Sequence, residues 1–265
     1  MSSPKLYQEL LRRNRLLAYL GLIHIVLFVI FLIFFFIDSR TVMGINTWIK
    51  PMKFALSIAL YVWTVGWLLE YLSGYPRSVR IIAWGVAIAM TVEMVCITFQ
   101  AARGVQSHFN VYTAFDGAIF STMGLGVILN TLLLVWMTVL FFVGKTKLTA
   151  SYRLAIQLAL LLFLFASGIG GMMAGQLSHS VGVADGGAGL PFVNWSTEGG
   201  DLRIAHFIGI HSLQVIPLFA YLAEKKQWQY ARGWTWLFAL TYIGITIFIF
   251  WEATNAHPLL STLFH

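Results

Sequence analysis

Long apolar runs separated by short polar segments dominate the chain. A bilayer-spanning helix needs about 20 apolar residues, and seven stretches meet that length, at about 17–37, 51–72, 80–102, 115–143, 152–175, 202–222 and 232–252. The pattern predicts an all-α fold: a polytopic transmembrane bundle of seven helices forming a single domain over residues 1–265. Connections are short except at 103–114 and 176–201. The second is dense in Gly, with Pro and Asn, and reads as a turn-rich segment serving either as a binding lid or as a connector.

Composition agrees with this reading. Of 265 residues, 59% are hydrophobic, 10% are charged and the mean hydropathy is +0.79, too apolar for a soluble domain. The net charge of +7 does not call for nucleic acid, because the cations alternate between loops. Lys5, Arg12, Arg13, Arg15, Arg77, Arg80, Lys145, Lys147, Arg153, Lys225, Lys226 and Arg232 fall on one side, 12 of the 17 basic residues. Arg40, Lys50, Lys53, Arg103 and Arg203 fall on the other. The positive-inside rule then places the N-terminus in the cytoplasm and the C-terminus outside. The run Leu17–Ile37 is too long for a signal peptide's apolar region and is expected to remain as the first span. The single cysteine, Cys96, rules out an intrachain disulfide.

Ionisable groups inside a span are costly and mark functional sites by default. The segment Asp201 to Gln214 carries an acid, a cation, two histidines and an amide. His206 and His211 are five residues apart and about 140° around the helix from each other, so they serve different environments rather than one metal ion. Asp201 follows two glycines and reads as the helix N-cap. Arg203, Lys50 and Lys53 sit where spans begin, against the helix dipole, an arrangement suited to an anionic ligand. Gln100, Asp116, Gln214 and Glu252 complete a polar set in the outer half. Glu93 and His211 each lie roughly 13 Å below the outer boundary and are expected to pair for proton transfer or ligand binding. His24 lies deeper on the first span, at roughly 20 Å. Met90, Met94 and Cys96 offer soft sulfurs for copper, but Cys96 faces away from the other two. Ser167, Gly171 and Gly175 recur every fourth residue and read as a helix-packing face.

The stretch from Asp185-Gly186-Gly187 through Asn194-Trp195-Ser196-Thr197 to Gly199-Gly200-Asp201-Leu202-Arg203, His206-Phe207 and His211-Ser212-Leu213-Gln214 resembles a group of uncharacterised bacterial polytopic membrane proteins. The resemblance implies a bacterial inner membrane and no particular activity. Three functions remain open. The first is a b-type haem or quinone-linked redox protein, with His24, His206 and His211 as haem ligands and Arg203, Lys50 and Lys53 beside the propionates. The second is a proton-coupled small-anion transporter, channel or sensor, with Glu93 and His211 as the proton-responsive pair. The third is a zinc-dependent membrane hydrolase drawing on His206, His211 or His108 with Asp116 or Asp201.

Overall fold

The computed structural model describes residues 6–259; Lys5, counted above with the basic side, lies outside them. The fold is all-α and 74% helical. Its helices are α1 (Leu6–Arg13), α2 (Arg15–Ile37), α3 (Ile49–Leu69), α4 (Pro76–Arg103), α5 (Ala114–Val143), α6 (Ala150–Gln176), α7 (Leu202–Ile210), α8 (Ser212–Lys225) and α9 (Ala231–Thr254). A 3-10 turn, Glu70–Leu72, extends α3. Among the described residues six helices are long and apolar enough to cross a membrane, or seven if the bent pair α7–α8 forms one span. The expected spans coincide with these helices to within a few residues. The short α1, whose apolar length is too small to span, was not anticipated, nor were two minimal antiparallel pairings: β1 (Thr41–Val42) with β2 (Ile45–Asn46), and β3 (Ser180–Val181) with β4 (Gly200–Asp201).

Local chemistry sets the helix ends. Asn14, Thr113 and Thr149 cap α2, α5 and α6 by accepting from the amides of Leu17, Asp116 and Tyr152. Pro76 opens α4 in its first turn, where its missing N–H costs nothing, and Gly104 closes that helix in the left-handed region at φ 72°.

The chain divides into two compact units, one comprising residues 1–140 and 144–146, the other 141–143 and 147–265. In the first, α2 packs along α3 and α3 against α4. Gly21 gives the Trp63 indole room, and Trp63 Nε1 donates to the Ala18 carbonyl at 3.1 Å. α5 is tied to α3 by the Tyr61 hydroxyl, which donates to Asn130 at 2.7 Å. Large apolar side chains such as Phe36, 77% exposed, cover the outward faces, as expected of helices whose solvent is lipid.

In the second unit α6, α7, α8 and α9 pack together. Close contact uses Ala155, Ala159 and Ala166 of α6, all fully buried, and Gly209 of α7, where a Cβ would meet that of Ala166 at 2.5 Å. Gly171 and Gly175 face open space instead, so the packing face anticipated from Ser167, Gly171 and Gly175 belongs to a neighbouring stripe of the same helix. The axis bends by 42° between α7 and α8, at His211, and Pro217 lies within the second turn of α8 beyond the break. At the bend the Tyr242 hydroxyl donates to the Ile208 carbonyl at 2.7 Å and Ser212 to the Ala159 carbonyl at 2.9 Å, so the break is satisfied by its neighbours.

Candidate functional site

In the first unit the polar groups gather at the end where α2 stops, α3 starts, α4 stops and α5 starts, the end expected to face outside. Asp38, just past α2, accepts from Arg40 Nη2 at 2.7 Å and Trp48 Nε1 at 2.8 Å. The Arg40 guanidinium, then the indole, hold its carboxyl far below the usual carboxylate range. Arg40 also donates to the Ala102 carbonyl at 2.9 Å and Thr47 to the Ala101 carbonyl at 3.1 Å, fastening the β1–β2 hairpin to the end of α4.

Gln100 and Asp116, both anticipated in the pocket, do come together. Gln100 Nε2 donates to Asp116 Oδ1 at 2.9 Å, Arg103 reaches the same oxygen at 2.5 Å, and the Thr113 hydroxyl donates to Oδ2 at 2.7 Å. Asp116 is 5% exposed, and these bonds occupy both its oxygens. It is therefore a saturated bracket between α4 and α5 rather than a base or metal ligand.

Within its own unit Glu93 meets His108, a pairing the sequence did not suggest: Glu93 Oε1 stands 3.2 Å from His108 Nε2. Glu93 lies ten residues before the end of α4, about 15 Å along the axis. The pairing thus requires the connection 104–113 to fold back into the unit, and Ser107 and Asn110 are buried with it at 4% and 3% exposure. Phe54 and Phe120 place their rings 5.6 and 6.4 Å from the imidazole. Burial, then the charge of Lys50, lowers the His108 pKa, and Glu93 opposes them only in part, so the ring is held neutral near pH 7. Glu93 is 4% exposed and its Oε2 is buried without a partner. Lys50 stands with its ammonium 5.9 Å from the Phe54 ring. Lys53 lies one turn further along α3. His24, 2% exposed on α2, donates from Nδ1 to the Leu20 carbonyl at 2.8 Å and leaves Nε2 buried and unpartnered.

In the second unit Asp201 caps α7, as its position after two glycines predicts. Its side chain also accepts from Arg203 Nη2 at 2.6 Å, Arg203 Nε at 2.9 Å and the Ser196 amide at 2.8 Å. Arg203 donates further to the Asn194 carbonyl. The cation expected to clamp an anion is therefore bound up in holding the loop 176–201 against α7. That loop is pinned at both ends by the β3–β4 pair, and Asp185 within it accepts from Ser178 Oγ and the Ser180 amide, both at 2.9 Å. His179, absent from the expected set, lies 3.2 Å from Asp185 and 3.9 Å from Asp201.

His206 and His211 point to separate surroundings. His206 Nδ1 donates to the Ala166 carbonyl of α6 at 2.7 Å, over Gly170. His211 sits at the α7–α8 break, its ring 4.4 Å from Phe207 and hydrogen-bonded to Gln214, with Nε2 buried and unpartnered. Glu252, 1% exposed, lines a narrow crevice with Asp201 and His257.

Among the described residues no three His, Cys, Asp or Glu side chains gather at metal-binding distance, which leaves the zinc arrangement without such a ligand set. Sequence reasoning named His108 only as an alternative zinc ligand and Arg103 only as an outer-side cation, and it passed over His179. All three are polar residues at loop or span boundaries, where depth counted along a helix gives no warning of burial. Comparison with known protein families, curated proteins and solved structures found no match.

Proposed function

We propose that this chain is a seven-span membrane protein of the bacterial inner membrane, N-terminus in the cytoplasm, acting as a proton-responsive transporter, channel or sensor. The observation that carries the reading is the Glu93–His108 pair: a buried carboxyl with one oxygen on an imidazole and the other unpartnered, under a loop that opens to the outer face. An imidazole in contact with a buried acid and next to the Lys50 charge changes the local charge by one unit when it takes up a proton from the outer side. Protonation of His108 adds a cation beside Lys50 and draws Glu93 toward the ring, so the loop 104–113 is the element the proton acts on.

Infrared difference spectra of the purified protein between pH 5 and pH 8 test this. The expected result is a carboxyl and imidazole signal that disappears in Glu93→Gln and in His108→Gln; identical spectra from all three proteins overturn it. A haem- or quinone-linked redox role stands second, favoured by the unpartnered Nε2 atoms of His24 and His211. An absorption spectrum without a Soret band after haem supplementation removes its haem form.

A further inference from the structure

The opposite end of the first unit holds a cleft of about 360 Å³ between the α1–α2 junction, the 3-10 turn and the first turns of α4. That volume is within the range of about 300–1,000 Å³ found for small-molecule sites. Its polar lining includes Arg13, Asn14, Glu70, Ser73 and Arg80, and its apolar wall runs out to Trp84, 56% exposed on the outward face of α4. The charges decide what it accepts. Glu9 and Glu70 are matched by two arginines: Arg12 lies 2.8 Å from Glu9 and 3.3 Å from Glu70, and Arg13 lies 2.8 Å from Glu9. Arg13 is further fixed by donating to the Trp67 carbonyl and by stacking 3.8 Å over the Trp67 ring.

This group of four sums to zero and leaves Arg80, an exposed guanidinium in no hydrogen bond or ion pair among the described residues. Beside it, α4 begins at Tyr75 with no side-chain cap, so the first amides and the positive end of a 28-residue helix point the same way. One uncompensated cation, uncapped amides and an apolar wall leading to the lipid-facing surface match a molecule with one negative charge and a hydrocarbon tail.

We propose that this cleft binds the phosphodiester headgroup of an anionic phospholipid, with Arg80 as its principal ligand and the acyl chains along Trp84. The inference is independent of the Glu93–His108 reading and rests on the long apolar helices sitting in a bilayer in the proposed orientation. Basic pockets between spans on the cytoplasmic side are a recurrent form of lipid recognition, and the positive-inside orientation puts the cleft on that side.

Native mass spectrometry of the full chain in detergent tests it, with short-chain phosphatidylglycerol, short-chain phosphatidylcholine and inorganic phosphate as probes. One phosphatidylglycerol is expected to bind per chain, with phosphatidylcholine and inorganic phosphate far weaker. Losing one cation at an anionic headgroup is expected to weaken phosphatidylglycerol about fivefold in Arg80→Gln, while Arg77→Gln, which removes the same charge outside the cleft, changes it less than about twofold. Both side chains are exposed, so neither variant threatens folding. Equal weakening by the two variants, or none by Arg80→Gln, overturns the site. Inorganic phosphate binding as tightly as the lipid overturns the lipid as its occupant.

Discussion

Replacing Asp201 by Ala is the most informative perturbation of the second unit. Asp201 is 2% exposed and supports three things at once: the N-cap of α7, the Ser196 amide and the Arg203 guanidinium. Loss of a cap costs about 1 kcal/mol. Stranding a buried amide and a guanidinium adds roughly 1–3 kcal/mol. The Arg203 side chain is 26% exposed, so water recovers part of its solvation, and the sum falls at the lower end of the roughly 3–5 kcal/mol typical of breaking a buried pair. A loss of about 3 kcal/mol is expected, more than a hundredfold in the unfolding equilibrium. Removing the stranded charge as well, in Asp201→Ala with Arg203→Met, is expected to restore about 1–2 kcal/mol of that loss. Equilibrium unfolding in mixed micelles with increasing dodecyl sulfate, followed by circular dichroism, measures each variant. A single-variant loss under about 1 kcal/mol, or a double variant equal to the sum of the two singles, refutes the assignment of Asp201 as the shared anchor.

Three further outcomes follow from the same geometry. Tyr242→Phe strands the Ile208 carbonyl at the α7–α8 break and is expected to cost about 1–2 kcal/mol in the same unfolding assay, whereas a neutral result denies the hydroxyl its role there. Gly200→Ala places a Cβ 2.0 Å from the Ala253 carbonyl oxygen and is expected to destabilise by about 3 kcal/mol or more, while Gly44→Ala, with φ +76° but nothing within 4 Å, is expected to cost only about 1 kcal/mol. Burial and Lys50 hold the folded pKa of His108 below its ordinary 6.5, so the unfolded chain takes up the proton first. Stability from this group is therefore complete above pH 6.5 and declines as pH falls from 6.5 toward the folded pKa. Unfolding measured from pH 7.5 to 5 is expected to flatten in His108→Gln, and an unchanged slope counts against the burial of a neutral ring.

Much of the helical framework was legible along the chain. The apolar runs located the long helices, Asp201 was recognisable as a cap from the glycines before it, and the five-residue spacing separated His206 from His211. The α7–α8 bend was not legible, and the run around it read as one straight span. The errors share a source. Arg203 was assigned to an anion because it opposes the helix dipole, yet an extended N-cap two residues earlier turns Asp201 toward it. Glu93 was matched to His211 by equal depth, and depth alone passed over His108, a partner within its own unit that sits in a connection whose sequence gives no sign of folding back.

What the sequence by itself determined is therefore the framework: which segments leave water and where each helix starts and stops. Burial of an apolar run is a sum over neighbouring residues, and a cap acts within one turn, so both can be read locally. Only the tertiary structure decided the pairings, Glu93 with His108, Asp116 with Gln100 and Arg103, and Tyr242 with the Ile208 carbonyl. A buried polar group must find some partner, but which one depends on the few ångströms within which distant segments are packed, and those distances are not a property of any one stretch of chain.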